Sequence, residues 1–495
     1  MKTIGIDLGT TNCVMAYNDG DNTTVLAAPS GKSLMPSLVA VKQDGSLIAG
    51  ERAAKLIYNQ ELSQYLFSNI KRHIGVKHNA NEDHGSQVTT DENGLAAFRG
   101  PDRLYSPVEL SAELLRVMKA EAERRLGEPI DGAVITVPAY FDNNRVKATQ
   151  EAGYLAGFKV VTTLSEPEAA AIAHGLDKHK YARAAVFDLG GGTFDIVIMD
   201  VNESLFDDIG KGGSEYLGGI DWDKQIQDYV VAKHLEETGE DLSKRSFVLT
   251  KLNVAARSAK EELTDEEAAP IDVALAAWDE KTNKMGDLNT SITSEVFTQL
   301  TQHLVDRAME ITEQTLNAAD CDPWKIDEVV LVGGMTRVRA VREAVTKYFP
   351  KARILERINA DTAVAIGAAI KAAELDKRLI RRIHHNSVAS LPFGVAGVAN
   401  TFVPVIEKGC PYGELRTVTL TNANKGQTRF PIAILQGDKE QASQNALVAF
   451  HVHELKPGEA RSASVELELM LDEQGMLLIT GKDGDRTFDL EGDVI

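Results

Sequence analysis

The 495-residue chain is too long for one hydrophobic core, so roughly two to four domains or subdomains are expected. Its 43% hydrophobic and 25% charged residues are those of an ordinary globular protein, and a formal charge of −20 argues against nucleic acid or an anionic membrane surface as the main partner. Cys13, Cys321 and Cys410 are too scattered for a disulfide or zinc framework, no apolar run reaches the ~20 residues of a membrane helix, and a first strand by Thr3 leaves no room for a signal peptide; a cytoplasmic protein is expected.

Strands are predicted near 3–8, 13–18, 37–42 and 46–49, followed by helices over 51–58 and 61–72 that end near Gly75. Residues 76–104 are polar and weakly patterned, and read as an exposed excursion with short strands. Ser106-Pro107-Val108-Glu109 opens a helix to about Leu126, with Ser as N-cap, Pro in the first turn and Glu three residues on. A buried strand over 133–137 stops at Pro138; a helix over 142–156, a strand over 158–163 and a helix over 166–175 follow. Strands near 185–189, 196–201 and 204–210 lead to helices over 221–237, 243–264 and 294–318. The strand at 329–332 ends in Gly333-Gly334, a helix starts near Val338, and an Ala-rich helix over 361–378 begins at Asp361 as N-cap. Residues 379–390 read as a linker. From Leu391 the period is mostly two, with turns at Asn422–Gly426, Lys456–Gly458 and Asp483-Gly484, which predicts a separate antiparallel β-sandwich.

Two stretches of this chain repeat one another. Ile4-Gly5-Ile6-Asp7-Leu8-Gly9-Thr10-Thr11-Asn12 and Ala185-Val186-Phe187-Asp188-Leu189-Gly190-Gly191-Gly192-Thr193-Phe194-Asp195 are each an apolar strand, an Asp, and a glycine turn with hydroxyls. Glycine lets successive backbone N–H groups approach a phosphate, and the strand-end Asp is placed to hold the accompanying metal. One such turn is usually only a turn; two with matched flanks imply two similar lobes facing across a nucleotide cleft. Asp7 and Asp188 can then hold Mg²⁺, the N–H groups of Thr10, Thr11, Gly190, Gly191 and Gly192 can cradle phosphate, and Asp195 adds a third carboxylate. Phosphoryl transfer to water needs little more than positioning and charge neutralisation. The residues alone leave the water-orienting group open, since a lysine such as Lys71 is ordinarily a solvated charge and Glu166-Pro167 ordinarily a helix start.

Further stretches extend the pattern: Ile70-Lys71-Arg72-His73-Ile74-Gly75, Ile135-Thr136-Val137-Pro138-Ala139-Tyr140-Phe141, Glu166-Pro167-Glu168-Ala169-Ala170-Ala171, Leu217-Gly218-Gly219, Val332-Gly333-Gly334-Met335-Thr336-Arg337 and Ala363-Val364-Ala365-Ile366-Gly367-Ala368-Ala369. In this order they resemble the seventy-kilodalton heat-shock chaperone family over nearly the whole length. The resemblance implies an α/β fold: an actin-like two-lobed ATPase of duplicated ribonuclease-H-like subdomains over 1–378, an interdomain linker over 379–390, and a β-sandwich that binds extended peptides over 391–495, without the helical lid the family usually appends. It implies an ATP-dependent chaperone for exposed apolar segments of unfolded polypeptides, a monomer, with a J-domain cochaperone and a nucleotide exchange factor as candidate partners. By the same resemblance Lys71 orients the attacking water and offsets charge on the γ-phosphate, and Glu166 assists that network or binds metal-ligated water. Asp7, Asp188 and Asp195 organise Mg²⁺ and K⁺; Gly9, Thr10, Thr11, Asn12, Gly190, Gly191, Gly192 and Thr193 line the phosphates of ATP or ADP. Pro138 would sit at a hinge. Lys260, Gly333, Gly334, Arg337 and Asp361 fall on the adenosine side, and Val395, Val398, Phe430 and Ile432 fall near the peptide groove.

The chain departs from that family at several points. Arg257 stands where a ribose-binding Glu is usual, Glu261 where a basic residue is frequent, and Met335 where a small polar residue is usual. A lost carboxylate–hydroxyl bond weakens binding by roughly 1.5–3 kcal/mol, so looser nucleotide binding is expected. The linker carries Arg381, Arg382, His384 and His385 in place of an apolar run ending in an acid, and Val146, Gln150 and Thr162 stand at positions often basic. These changes leave two other readings open: a nucleotide-binding adaptor with weakened coupling, and a small-molecule kinase on the same fold.

Overall fold

The structure is a computed structural model, and it describes residues 2–59, 61–77, 87–176, 181–203, 205–279, 284–379, 383–484 and 486–490. Its first half is built twice. In the first lobe, strand Thr3–Leu8 pairs in parallel with Gly132–Val137 and antiparallel with Asn12–Asn18. Val160–Ser165 extends the parallel side, and Thr23–Leu26 the antiparallel side. In the second lobe Ala182–Leu189 takes the central place, parallel to Glu328–Val332 and antiparallel to Phe194–Asn202. Arg353–Leu355 and Leu205–Ser214 flank them in the same senses. The buried central strands are runs of β-branched and aliphatic residues, as strands covered on both faces must be. Each lobe has its own core, and a third cluster runs from Val134 through Ala169 to Ala368 and joins the two.

Local signals set many boundaries. Ser106 and Glu109 form a reciprocal capping box at the head of helix Pro107–Leu126, and Gly127 ends it in a left-handed turn. Helices Asn143–Leu155, Glu166–Ala173, Gly219–Thr238, Ser246–Glu262 and Ser294–Ala318 lie where periodicity places them. Three expectations need correction. The helix expected over 61–72 is instead a 3₁₀ turn (Ser63–Tyr65), a short strand (Leu66–Phe67) and one helical turn (Ile70–His73), because Asn69 at φ 58° breaks the chain before Ile70. Helix Ala363–Leu375 has Thr362 rather than Asp361 at its N-cap; Asp361 is drawn instead to Arg337, 2.8 Å away. A long hairpin, Ala268–Asp279 with Lys284–Thr293, was not foreseen, since its helix-compatible alanines hide the period of two.

Residues 391 to 490 form two four-stranded antiparallel sheets. One runs Phe402–Ile406, Phe393–Ala396, Arg429–Gln436, Ala446–Glu454; the other runs Arg416–Thr421, Ser464–Leu471, Leu477–Asp483, Arg486–Asp489. Phe393, Ile406, Ile434, Leu467 and Leu469 fill the space between them. The sandwich docks on the first lobe. Asn143 donates from its backbone N–H to Gln436 (2.9 Å) and from its amide to the Gly475 carbonyl (2.9 Å), and accepts from the Leu477 N–H (2.9 Å).

Between the lobes and the sandwich the described residues are not a solvated tether. His384–Asn386 is a strand, and it adds in parallel to Leu205–Asp207 at the edge of the second lobe's sheet. Ile383 is buried beside Phe206 in the core cluster that joins the lobes. Arg381 and Arg382 lie outside the described residues.

Candidate functional site

The two glycine turns face each other. A Cβ on Gly191 would lie 2.0 Å from Thr11 Oγ1, so the second turn approaches the first more closely than any other residue allows. Gly333 closes the third side at φ 80°, its missing Cβ leaving room for the Leu189 carbonyl. The cleft they enclose has a volume of about 100 Å³ and is lined by Asp7, Gly9, Thr10, Thr11, Asn12, Lys71, Glu166, Asp188, Gly190, Gly191, Thr193, Gly333, Gly334 and Asp361. A larger depression of about 890 Å³ around Trp324 and Tyr348 lies on the second lobe, remote from both turns, and contains none of the paired groups described next.

Lys71 and Glu166 form a buried ion pair across this cleft. Helix Ile70–His73 presents the lysine from the first lobe, and the Glu heads helix Glu166–Ala173. Burial opposes the ammonium charge, but Glu166, Asp7 and Asp188 outweigh it and hold Lys71 above its ordinary value. The acids are pushed the other way. Burial, then repulsion from Glu166, raises Asp7 to about 7 and Asp195 to about 8; burial, Glu166, Asp195 and Asp7 raise Asp188. Thr136 donates to Asp7 (3.3 Å) and the Tyr140 N–H to Asp195 (3.1 Å). One lysine set among four acids leaves negative charge in excess, and a divalent cation satisfies that demand.

Among the described residues no three His, Cys, Asp or Glu side chains converge tightly enough to hold an ion by themselves. Asp7 and Asp188 beside the glycine turns are a donor set that fits Mg²⁺, which keeps several waters and takes one or two carboxylates plus phosphate oxygens.

Two arginines that the sequence did not single out brace the site. Arg72 donates to the Gly192 carbonyl (3.0 and 2.7 Å) and pairs with Asp221 (2.7 Å), tying the first lobe to the second glycine turn. Arg145 is almost fully buried, donates to the Lys71 carbonyl (2.9 Å), stacks on Phe141 and pairs with Glu215 (2.5 Å). Arg72 could have been suspected from its place beside Lys71; Arg145 carried no local signal.

Of the expected adenosine-side residues, Gly333, Gly334 and Asp361 line the cleft, whereas Lys260 and Arg337 lie outside its lining. Lys260 pairs with buried Asp223 (2.8 Å) and donates to the Gly219 carbonyl (3.0 Å), and its burial lowers its affinity for a proton. Arg257 reaches the same carboxylate at 3.4 Å, so two cations share one acid. Met335 is buried against Gly219, while Arg337 is 46% exposed and anchored by Asp361 and Asn359. Of the expected groove residues, Val395 and Ile432 are buried in the sandwich core, Phe430 packs partly against it, and Val398 is 91% exposed on a turn.

A cleft closed from both sides by the same glycine turn, with a lysine–carboxylate pair at its floor, is that of a two-lobed nucleotide-binding ATPase. The particular family follows from comparison: a family model described as Hsp70 protein matches residues 3–491, and the chain belongs to the Hsp70 family. It is accordingly an ATP-dependent molecular chaperone, a protein that binds ATP or ADP with Mg²⁺, hydrolyses ATP and binds unfolded polypeptides. Among the described residues no helix is long and apolar enough to cross a membrane.

Proposed function

We propose that ATP is hydrolysed slowly and with a requirement for Mg²⁺ at the Lys71–Glu166 pair, and that the nucleotide state sets how firmly the sandwich holds an extended apolar segment. The observation that carries this reading is the meeting of that ion pair with two phosphate turns contributed by separate lobes. Lys71 orients the attacking water and offsets charge developing on the γ-phosphate, and Glu166 keeps the ammonium in place. The N–H groups of Thr10, Thr11, Gly190, Gly191 and Gly192 hold the phosphate oxygens, with the Thr193 hydroxyl beside them. Mg²⁺, held by Asp7 and Asp188 through its waters and accompanied by K⁺ near Asp195, would neutralise phosphate charge.

A volume of about 100 Å³ suits phosphates rather than a whole nucleotide, so the lobes part to admit ATP. Adenosine then lies between Lys260, Gly333, Gly334, Arg337 and Asp361. The ATPase spans 1–378, the linker 379–390 and the peptide-binding sandwich 391–495. Clients contact the exposed edge around Val398 and Phe430, with Val395 and Ile432 as its floor. The protein works as a cytoplasmic monomer in the stress response, with a J-domain cochaperone and a nucleotide exchange factor.

Phosphate release by the purified chain, with and without a Mg²⁺ chelator, tests the chemistry. Turnover lost to chelation and to Lys71→Ala supports it. Nucleotide binding without turnover would favour an adaptor, and label transfer to a sugar would favour a kinase.

A further inference from the structure

The strand that joins the ATPase region to the sandwich is held by charges. His385 Nδ1 lies 2.8 Å from Glu168 Oε2, and His385 Nε2 lies 3.0 Å from Asp208 Oδ2. Asp208 also accepts from the Ser387 hydroxyl (2.9 Å) and pairs with Lys211 (3.1 Å), and Lys211 donates in turn to Ser387. Asp208 and Lys211 come from strand Leu205–Ser214, and Glu168 from helix Glu166–Ala173. All are buried. Around this cluster, Asp207 accepts from Asn386 (2.7 Å), Lys371 reaches the Ile383 carbonyl (3.5 Å) beside Glu374, and the Tyr412 ring of the sandwich lies under Lys211.

Both ring nitrogens of His385 face carboxylate oxygens, and an ionised carboxylate only accepts. A neutral imidazole has one N–H and one lone pair, so it sets that lone pair against one of the two carboxylates; only imidazolium turns positive charge toward both. Charge counting agrees. The ATPase face alone buries Glu168, Asp208 and Lys211, one negative charge in excess, and a protonated His385 brings the set to neutrality.

We propose that docking of strand His384–Asn386 on the second lobe is coupled to uptake of one proton at His385, so that the joint between ATPase and sandwich loosens as pH rises through the neutral range. Burial opposes the charged ring, but Asp208 and Glu168 prevail and push it up to about 10 when docked. Asp208, despite its burial, is held below the ordinary carboxylate range by His385 and Lys211. Released into water, His385 returns to about 6.5. Because the docked value is the higher one, docking keeps full strength below that pH. It weakens about tenfold per pH unit above it, levelling off as pH passes the docked value. Docking in this sense does not depend on turnover in the cleft, so failure of one leaves the other standing.

Hydrogen exchange of the full chain between pH 6 and 9 reads this directly, through the protection of amides in His384–Asn386 relative to those of the internal strand Ala182–Leu189. The expected protection, corrected for intrinsic exchange, falls about tenfold per pH unit above about 6.5. In His385→Gln it is lower at pH 6 and flat with pH, and in His385→Lys, whose charge persists, it is also flat. Wild-type protection independent of pH overturns the proposal without recourse to any variant. So does an equal slope in His385→Gln.

Discussion

The phosphate cleft and the linker groove use the same materials to opposite ends. Each buries acids around a lysine in the interior of the ATPase. In the cleft, Asp7, Asp188, Asp195 and Glu166 surround Lys71, and burial with mutual repulsion drives Asp7, Asp188 and Asp195 upward. In the groove, Glu168 and Asp208 meet Lys211 and His385, and Asp208 moves downward. A charge imbalance marks a place that a ligand must complete; a balanced set marks a joint that the chain completes itself. Helix Glu166–Ala173 serves both, with Glu166 facing the cleft and Glu168 facing the groove.

The comparison can be broken at either pole. Lys71→Ala removes the cation that pairs with Glu166 in the cleft and should lower ATP turnover by at least about 100-fold, measured as phosphate release. In the groove, Asp208→Ala leaves Lys211 and His385 buried without their shared acid. Loss of one partner from a buried pair costs about 3–5 kcal/mol, read as earlier loss of strand protection in a urea titration with ATP turnover in the lobes retained.

Between the two poles lies Asn143, whose side chain and backbone make three bonds to the sandwich. Asn143→Ala keeps the backbone bond and loses the side-chain ones, so docking should weaken by about 1–3 kcal/mol and peptide stimulation of turnover should shrink with it. The smallest effect is expected at Arg257. Arg257→Glu should tighten ATP by less than about tenfold in a binding titration, because Lys260 remains shared with Asp223 and buffers the change. A loosening there would show that Arg257 has taken over nucleoside binding.

The sequence made the cleft legible and the groove largely illegible, for a physical reason. Phosphate turns are local: the strand, Asp and glycines lie within a dozen residues, and the repeat at Asp188 exposes the duplication of whole sheets. Lys71 and Glu166 needed the family resemblance, because neither residue's neighbours announce a partner on another helix. The strand inside the linker went unread because a three-residue strand has no periodicity to show. His384 and His385 read only as departures from an apolar linker until the fold sets Glu168 and Asp208 on either side of one ring. Asp361 failed differently: a competent cap was taken by a stronger partner, the Arg337 guanidinium.

The central claim is that the lysine–carboxylate cleft and the docked sandwich form one coupled machine. Steady-state ATP hydrolysis with and without an unfolded apolar peptide, beside Lys71→Ala, tests it most directly. The account predicts slow turnover that rises with peptide and vanishes in the variant. Turnover indifferent to peptide, in a chain whose linker strand remains docked, would contradict it.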